Sequence, residues 1–504
     1  MNKFDKYKIP IFISLNILVL ISLFGMAYAY FKATINNAES ASTISVESGE
    51  LTINYQGNTA NIVASGIVPG WSETKKFTLS GKNTTKTNEF HTDNNLYYKI
   101  ILAIDNNTFS EGALTYSLAK DSTSSTNGKM ADEASGTINQ SGNQIIGYGY
   151  FSETSTFVDH IYNLTISFPS TEYEQSADNG KSFAAHVTIS EGKPTISEYI
   201  SKLDKASNGL EEDNTPDKNI RYTGANPNNY VEFANTGELW RIIGVFNVKD
   251  STGKVERKIK LVRNESLGGF SWDAKLNGDK YWGINDWTEA DLKNELNGDY
   301  LNTALTSNTK WYNSYYDSTA SKPVQRKEGI FDYTKTIKQN YQNMISESVW
   351  NIGGNTYSNP SSAPFGLPLL DQYNKERGTI TYQNSRPTDW TGKVGLIYAS
   401  DYGYASTNSE CRENLRAGVT YENGSWDYSN GKCKTDNWLF KNSWYWTLSP
   451  YSGGSDYVFY VNRDGAVIGN GAWLSYSVWP AVFLKSDILI ASGTGEKESP
   501  YHLG

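Results

Sequence analysis

The sequence predicts three parts: an N-terminal membrane helix, an antiparallel β-sandwich and an α+β domain. A length of 504 residues exceeds the size at which one hydrophobic core stops growing, so more than one domain is expected. Apolar residues alternate in short runs between residues 47 and 190, whereas helical and alternating periods are mixed beyond residue 219. The predicted segments are 1–32 for the export signal or membrane anchor, 33–193 for the sandwich, 194–218 for a short helix and linker, and 219–504 for the α+β domain.

The N-terminus has the features of an export segment. Three lysines among the first eight residues precede the uncharged 22-residue run Ile9–Tyr30, which is long enough to cross ~30 Å of hydrocarbon as a helix. The positive flank predicts that the first residues stay in the cytoplasm and that all later residues are outside. Ala27 and Ala29 have the small side chains that a signal peptidase requires, so a cleaved, secreted form and a membrane-anchored form are both open.

Six short runs after this segment alternate apolar and polar side chains, which is typical of strands with one buried face. They are Lys76–Leu79, Tyr97–Ile104, Ala113–Leu118, Gln144–Tyr150, Tyr162–Phe168 and Phe183–Ile189. Because no helical period separates them, they predict an antiparallel β-sandwich. The polar stretch Asp121–Gly142 predicts a long surface loop that divides the sandwich into two halves.

The pattern changes at residue 194. Apolar residues from Ile196 to Leu203 follow the i, i+3, i+4, i+7 spacing of one helix face, and the polar run Ser207–Lys218 predicts a hinge. In the last domain, one helix is expected to begin at its N-cap Thr288 and to stop at Gly298, and a second is expected over Tyr333–Trp350.

Eight runs in the same domain predict strands, and the mixture of helices and strands indicates the α+β class. They are Glu238–Val248, Lys258–Asn264, Val394–Tyr398, Trp444–Leu448, Tyr457–Val461, Ala466–Ile468, Ala481–Leu484 and Ile488–Ile490. A turn around Ser251–Gly253 is expected to join the first two strands as a hairpin. The turn at Asp464-Gly465 is expected to join Tyr457–Val461 to Ala466–Ile468 in the same way.

Composition argues against several classes of function. The net charge of −9 opposes a phosphate backbone, so nucleic-acid binding is not expected. Two cysteines and four histidines are too few for a Cys-rich zinc or iron–sulfur site, and no metal or cofactor is expected. Because no histidine lies between His186 and His502, a His-dependent active site is not expected in the C-terminal domain.

Four segments of the N-terminal part form a recognisable series: AYAYF at 27–31, ESGELTINY at 47–55, GIVPGWSETKKFTL at 66–79 and LYYKIILAI at 96–104. Together they resemble the camelysin-type biofilm-matrix family of Gram-positive bacteria. The resemblance implies a jelly-roll-like sandwich outside the cell that is sometimes assembled into fibres. Although the family has been linked to metal-dependent proteolysis, His91, His160 and His186 are isolated from one another, so no protease site is carried over.

Five segments of the C-terminal part form a second series: ELWRIIGVF at 238–246, NDWTEADLKNELNGDYLN at 285–302, GKVGLIYASDYGYAS at 392–406, WYWTLSP at 444–450 and WPAVFLKS at 479–486. They resemble large uncharacterised surface proteins of gut-type Firmicutes. Their order is similar to the formylglycine-generating-enzyme and C-type-lectin-like fold, which the resemblance implies for this domain. Formylglycine-generating enzymes use cysteines close together in sequence, whereas Cys411 and Cys433 are 22 positions apart, so that activity is not carried over.

The two cysteines are instead expected to pair with each other. An exported domain lies in an oxidising compartment, where cysteines form disulfides. Cys411 and Cys433 lie in one polar stretch, so their bond would close the loop Arg412–Lys432.

Aromatic residues concentrate near the C-terminus, where they can stack on sugar rings or anchor a protein partner. The loops Tyr451–Asp456 and Gly469–Ser477 flank the hairpin turned at Asp464-Gly465, so both are expected at its opposite end. That end is the predicted ligand face. Its candidate residues are Tyr451, Asp456, Trp473 and Tyr476. The alternative is that the aromatic side chains cap the core, and Trp444 and Trp446, which share one strand face, are expected to be buried.

These patterns predict an exported, cell-surface or matrix-associated bacterial protein that acts as a non-enzymatic binding or adhesion module. Its expected partners are a glycan or protein ligand and the membrane, and self-assembly through the sandwich is open. The alternative is an extracellular enzyme on a formylglycine-generating-enzyme-like fold that acts on glycans or surface proteins. A buried acidic pair with shifted pKa values in a pocket would favour the enzyme, whereas an open aromatic groove would favour binding.

Overall fold

The computed structural model describes residues 42–46, 49–55, 61–83, 95–172, 174–275, 282–317, 322–357, 366–378, 386–422 and 425–504. The predicted membrane segment, with Ala27 and Ala29, lies outside these residues. Strands make up 45% of the structure and helices 13%, so the chain is mostly β, as predicted. None of the described helices is long and apolar enough to cross a bilayer. The chain forms two compact units, Met1–Lys193 and Pro194–Gly504.

The N-terminal unit consists of antiparallel strands in two sheets. The strands are β1 (Ser42–Val46), β2 (Gly49–Tyr55), β3 (Asn61–Ser65), β4 (Trp71–Asn83), β5 (Leu96–Asn107), β6 (Thr115–Lys120), β7 (Ala134–Thr137), β8 (Gly142–Phe151), β9 (Thr154–Phe168) and β10 (Ser182–Glu191). One sheet has the order β1-β2-β4-β9-β6-β7 and the other β3-β10-β5-β8. All six strands predicted from alternation are present.

Both sheets bury side chains in one hydrophobic core. Phe77 and Leu164 come from the six-stranded sheet and Ile100 and Val187 from the four-stranded sheet, each at most 1% exposed. Successive side chains of a strand point to opposite faces, so the alternation in sequence places every second residue in this core.

The predicted loop Asp121–Gly142 is only partly a loop. It contains the strand β7, which pairs with β6 in the same sheet, so it does not divide the unit into two halves. β7 has the sequence ASGT, which lacks large apolar side chains. The strand is therefore set by its backbone pairing, and alternation could not reveal it.

The C-terminal unit combines short helices with several sheets. Its described strands are β11 (Leu210–Glu212), β12 (Ile220–Tyr222), β13 (Tyr230–Glu232), β14 (Leu239–Lys249), β15 (Val255–Arg263), β16 (Gly269–Ser271), β17 (Thr309–Asp317), β18 (Lys322–Phe331), β19 (Ser348–Asn351), β20 (Asp389–Gly392), β21 (Val394–Leu396), β22 (Thr420–Glu422), β23 (Ser425–Asp427), β24 (Tyr445–Pro450), β25 (Tyr457–Val461), β26 (Val467–Gly471), β27 (Ser475–Ser477), β28 (Pro480–Phe483), β29 (Ile490–Ser492) and β30 (His502–Leu503). Its described helices are α1 (Ile196–Lys202), α2 (Asp291–Asn297), α3 (Gln339–Gln342), α4 (Leu369–Glu376), α5 (Ala399–Tyr404) and α6 (Ser409–Glu413).

Two larger sheets organise this unit. The seven-stranded sheet has the order β11-β12-β14-β15-β28-β21, with β13 also paired to β14, and the five-stranded sheet has the order β16-β27-β24-β25-β26. The pairs β17-β18, β19-β20, β22-β23 and β29-β30 form separate hairpins or ribbons. A single core contains apolar side chains from both larger sheets and from the helices.

The helix predicted over Tyr333–Trp350 is wrong. This segment forms a 3₁₀ turn at Tyr333–Lys335, then the short helix α3, then the strand β19. The backbone N–H of Ile337 donates to Tyr300 and that of Ser346 donates to Phe483. Tertiary hydrogen bonds therefore replace the helical ones, and the apolar stripe serves separate contacts.

The other helices agree better with their sequence signals. Thr195 and Glu198 form a capping box at the start of α1, with the Thr195 N–H to Glu198 Oε2 distance at 2.9 Å. Helix α2 ends at Gly298, as predicted, but begins at Asp291 instead of following Thr288. The carboxylate of Asp286 accepts hydrogen bonds from the N–H and hydroxyl of Thr288, which therefore belongs to a turn before the helix.

Candidate functional site

The two predicted binding loops meet at one end of the five-stranded sheet. Strands β25 and β26 pair around the turn that contains Gly465, whose N–H donates to the Asn462 carbonyl. At the opposite end, the N–H of Ala472 donates to the Asp456 carbonyl at 2.7 Å. The antiparallel pairing therefore brings the two segments together at the predicted end, but the second is not one loop, because it contains the end of β26, a turn at 472–474 and the strand β27.

Asn285 holds one of these loops in place. Its side-chain amide donates to the carbonyls of Tyr451, Gly454 and Tyr457 at 2.9, 2.9 and 2.6 Å, and its backbone N–H donates to Ser455. Asn285 is 3% exposed. A buried amide that satisfies several loop carbonyls fixes the loop backbone, so the aromatic residues on it are held in defined positions.

Tyr457 is the exposed centre of an aromatic cluster at this end. Its side chain is 39% exposed, and its ring centroid lies 6.3 Å from both Tyr451 and Trp473. Trp473 is 9% exposed and stacks on Trp282 at 5.6 Å, while Tyr451 packs on Tyr357 at 5.1 Å. Trp473 and Tyr451 therefore support the ring that faces solvent. We call Tyr451, Asp456, Tyr457 and Trp473 the aromatic surface.

The carboxylate of Asp456 lies close enough to Tyr457 to influence its titration. Burial raises the pKa of Tyr457, and the charges of Asp456 and Tyr451 raise it further. The Tyr457 hydroxyl therefore keeps its proton at neutral pH and can donate it to a ligand. The aromatic surface thus offers a flat ring, a hydroxyl donor and a carboxylate acceptor side by side.

Tyr476 does not belong to the aromatic surface, contrary to the prediction. Its ring lies 4.6 Å from both Trp446 and Tyr460, and its hydroxyl accepts a hydrogen bond from Asn470 at 2.8 Å. Tyr460 and Tyr457 are three residues apart on one strand, so they point to opposite faces of the sheet. The four candidate residues are therefore divided between two faces.

Trp444 also departs from its prediction. It was expected to be buried beside Trp446, but Trp444 is 48% exposed and Trp446 is 1% exposed. The strand β24 begins at Tyr445, so Trp444 lies before it and does not follow its alternation. Its ring lies 5.8 Å from Tyr476 and 5.8 Å from the Arg463 guanidinium carbon.

The predicted disulfide between Cys411 and Cys433 is present, with an S–S distance of 2.05 Å and both residues fully buried. It closes the segment that contains the hairpin β22-β23. Within this segment, the Arg416 guanidinium carbon lies 4.4 Å from the Tyr357 ring and 4.5 Å from the Trp426 ring. Because Tyr357 packs on Tyr451, the closed segment supports the aromatic surface from behind.

A buried network of charged residues lies elsewhere in this unit and was not predicted. The Asp401 carboxylate accepts from the Arg221 guanidinium at 2.7 Å and from the Lys260 ammonium at 2.6 Å. Arg221 also donates to Asp213 at 2.6 Å. All four side chains are at most 3% exposed.

The ion pairs decide the charge of this network. Burial alone would raise the pKa of Asp401, but Lys260 and Arg221 lower it to about 2. Burial lowers the pKa of Lys260 to about 8, against the attraction of Asp401. The network is therefore ionised at neutral pH.

Glu376, at the end of α4, is also fully buried. Its carboxylate accepts hydrogen bonds from Gln372 at 2.9 Å, from Ser449 at 2.5 Å and from the Ser400 hydroxyl. Burial raises its pKa, although Arg377 and these hydrogen bonds lower it. With its oxygens occupied by protein donors, Glu376 connects α4, α5 and β24.

A cavity of about 420 Å³ is next to these buried groups. The residues that line it come from six segments that are distant in sequence. They are Asp217, Phe246, Asn247, Val248, Lys249, Val255, Val349, Asn351, Arg377, Thr388, Asp389, Tyr398 and Phe483. Sequence reasoning missed this cavity because no motif joins these positions.

Comparisons of this chain with protein-family models, with curated proteins and with solved structures found no match.

Proposed function

We propose that this chain is an exported, cell-surface or matrix-associated protein that acts as a non-enzymatic binding module, with the aromatic surface as its ligand site. The observation that carries this proposal is the 39% exposed ring of Tyr457, supported by Tyr451 and Trp473 and placed beside Asp456. A ring stacks on the apolar face of a sugar, while a carboxylate accepts hydrogen bonds from hydroxyls. The preferred ligand is therefore a glycan, with a protein loop as the second candidate.

The N-terminal unit is proposed to be a jelly-roll-like sandwich that acts as a stalk or assembly module. Two antiparallel sheets with one shared core support this assignment. Strand β3 is at the edge of the four-stranded sheet, and its Val63 is 59% exposed. An edge strand with an exposed apolar side chain can pair with another chain, which supports self-assembly. For the C-terminal unit, the C-type-lectin-like fold likewise remains our proposal.

The pair Asp273 and Asp291 is relevant to the enzymatic alternative. Burial, and then the charge of Asp291, raises the pKa of Asp273 to about 6. Asp273 accepts the backbone N–H groups of Ile284 and Asp291, and Asp291 accepts that of Ala274. These hydrogen bonds hold the turn that precedes α2, and neither residue lines the 420 Å³ cavity. The pair therefore gives the enzymatic alternative no specific support.

The proposal is tested in two steps with the full-length protein. Protease treatment of intact cells should remove epitopes of the C-terminal unit; protected epitopes would show that the proposed location is wrong. A glycan array and a host-protein screen should then give at least one interaction that Tyr457→Ala removes. The matched control is Phe157→Ala, since Phe157 is 47% exposed and lies on β9 of the N-terminal unit.

A further inference from the structure

We infer that the 420 Å³ cavity is a second ligand site of the C-terminal unit, separate from the aromatic surface, and that it takes a small carboxylate-bearing molecule of the sugar-acid type. The volume lies within the range of about 300–1,000 Å³ that is usual for small-molecule sites. The cavity combines apolar walls with a few charged groups from distant segments, which is the composition of such sites.

Arg377 is the group that would recognise the carboxylate. Its guanidinium carbon lies 3.5 Å from the centre of the Tyr373 ring and 5.3 Å from that of Tyr398. Its side chain is 18% exposed and lines the cavity. Stacking on an aromatic ring restricts the guanidinium plane, so its donors are presented in a fixed fork that matches a carboxylate.

The nearest protein acceptors bind the N–H groups of the Arg377 guanidinium only weakly. Arg377 lies 3.5 Å from Asp217, 3.8 Å from Glu376 and 3.4 Å from the Tyr373 carbonyl, all longer than an ordinary charged hydrogen bond. Glu376 already accepts from three protein side chains, and Asp217 accepts from the Tyr373 hydroxyl. A ligand carboxylate would therefore find guanidinium donors that are only weakly engaged.

The charged side chains of the lining balance one another. Arg377 and Lys249 supply two positive charges, and Asp217 and Asp389 supply two negative charges. The lining therefore has no net positive charge to balance the charge of about −1.5 to −2 on a phosphate monoester at neutral pH, whereas the single guanidinium of Arg377 balances a carboxylate of charge −1. The lining therefore favours a carboxylate over a phosphate.

The rest of the lining suits a hydroxylated ring. Asp389, Asn351 and Thr388 offer acceptors and donors for hydroxyl groups, while Phe246 and Phe483 offer apolar surface for the ring. These features together point to a uronic acid or a similar sugar acid.

Isothermal titration of the full-length protein in detergent micelles tests this inference with three probes: sodium glucuronate, glucose and inorganic phosphate. Glucuronate should bind, glucose should bind at least about tenfold more weakly because it lacks the carboxylate, and phosphate should not displace glucuronate. Equal binding of glucose and glucuronate, or no binding of glucuronate, would overturn the inference.

Variants then identify the residue responsible. Arg377→Gln should raise the Kd for glucuronate about tenfold, and Arg377→Lys should raise it less because the charge is kept without the fork. Lys249→Gln, on an exposed side chain, provides a variant that does not disturb the core, and it should raise the Kd about threefold, with Lys338→Gln as the matched control.

If Arg377→Gln does not fold, the lysine variants decide the matter: equal Kd values for Lys249→Gln and Lys338→Gln would contradict the site. Tyr457→Ala should not change glucuronate binding, so failure of this site and failure of the aromatic surface are distinguishable.

Discussion

Each unit contains a buried hydrogen-bonded network, and the two networks differ in charge. In the N-terminal unit, three buried side chains form a neutral chain: Tyr162 to Tyr98 at 2.6 Å, Tyr98 to His160 Nδ1 at 2.6 Å, and His160 Nε2 to the Asn127 carbonyl at 2.7 Å. In the C-terminal unit, one buried network consists of the ionised residues Arg221, Lys260, Asp401 and Asp213. The comparison shows that one chain can satisfy buried polar atoms with or without charge, and that the two units should respond differently to mutation and to pH.

The direction of each hydrogen bond in the neutral chain follows from its ends. The Ala131 N–H donates to the Tyr162 hydroxyl oxygen. When the imidazole of His160 is neutral and protonated at Nε2, its Nδ1 only accepts, so the Tyr98 O–H donates to Nδ1 and the Tyr162 O–H donates to Tyr98. The Asn127 carbonyl can only accept, so His160 Nε2 carries the proton. Each group is satisfied only while His160 is neutral. These hydrogen bonds also connect Asn127 and Ala131, in the segment Asp121–Gly142, to the core.

The largest effect is expected from Asp401→Asn. This substitution leaves the buried ammonium of Lys260 without its carboxylate and removes one of the two carboxylates of Arg221. We expect a loss of about 3–5 kcal/mol in the free energy of unfolding of the C-terminal unit. Because 13 of the 14 tryptophans lie in this unit, tryptophan fluorescence during urea unfolding reports it. Glu422→Gln, at an exposed position, is the control, and a loss below about 1 kcal/mol for Asp401→Asn would contradict the role of the network.

A second effect concerns the disulfide, since both cysteines lie in the C-terminal unit. Replacing both Cys411 and Cys433 with alanine should lower the free energy of unfolding of that unit by about 3 kcal/mol, since the closed loop then gains freedom in the unfolded state. Unfolding in urea with and without reductant checks this expectation. The parent protein should become less stable in reductant, and the double variant should not change; identical curves for the parent in both conditions would refute it.

The third expected effect is a change in the stability of the N-terminal unit with pH, which tests the role of the neutral chain. Burial lowers the pKa of His160 below its ordinary value of 6.5, so the unfolded state binds the proton more readily than the folded state. The stability of the N-terminal unit is therefore expected to be complete above pH 6.5 and to fall by about 1 kcal/mol per pH unit below it. The pKa of Asp401 is about 2, so its contribution to the C-terminal unit is expected to persist until the pH falls below 4.

Amide hydrogen exchange of the full-length protein at pH 7 and pH 5 measures this difference locally, after correction for the intrinsic rate. Peptides that contain Asn127 and Ala131 should lose protection at pH 5. In His160→Gln, the neutral amide can replace both hydrogen bonds, so the loss should disappear, whereas in His186→Gln it should persist. A pH-dependent loss that is unchanged in His160→Gln would show that the neutral chain is not its cause.

The two units also differ in how much of their structure could be predicted from sequence. In the N-terminal unit, each predicted strand alternates in the period of a β-strand, so local sequence was sufficient for β4, β5 and β9. In the C-terminal unit, the segment Tyr333–Trp350 has a helical period but forms backbone hydrogen bonds to residues distant in sequence instead. Local periodicity does not reveal which backbone partner a segment finds.

The aromatic surface and the buried ion-pair network were likewise only partly predictable from sequence. The meeting of the two aromatic loops followed from hairpin geometry, but the exposure of Tyr457 and the opposite orientation of Tyr476 depend on packing. Asp401 is 141 positions from Lys260 and 180 from Arg221, so sequence spacing could not suggest their network. The available signal was Lys260 between the apolar residues Ile259 and Leu261, which is an unusual place for an unpaired charge.

The central claim, that the aromatic surface binds a ligand, is tested most directly by one affinity comparison in the full-length protein. For the strongest interaction found in the glycan and host-protein screens, we expect Tyr457→Ala to raise the Kd about tenfold or more, while Phe157→Ala leaves it unchanged. Tyr457→Ala should unfold at a somewhat lower temperature than the parent, because its ring packs beside Tyr451 and Trp473, so the Kd values are compared at a temperature where all the proteins are folded. Equal Kd values for the parent and Tyr457→Ala would contradict the claim.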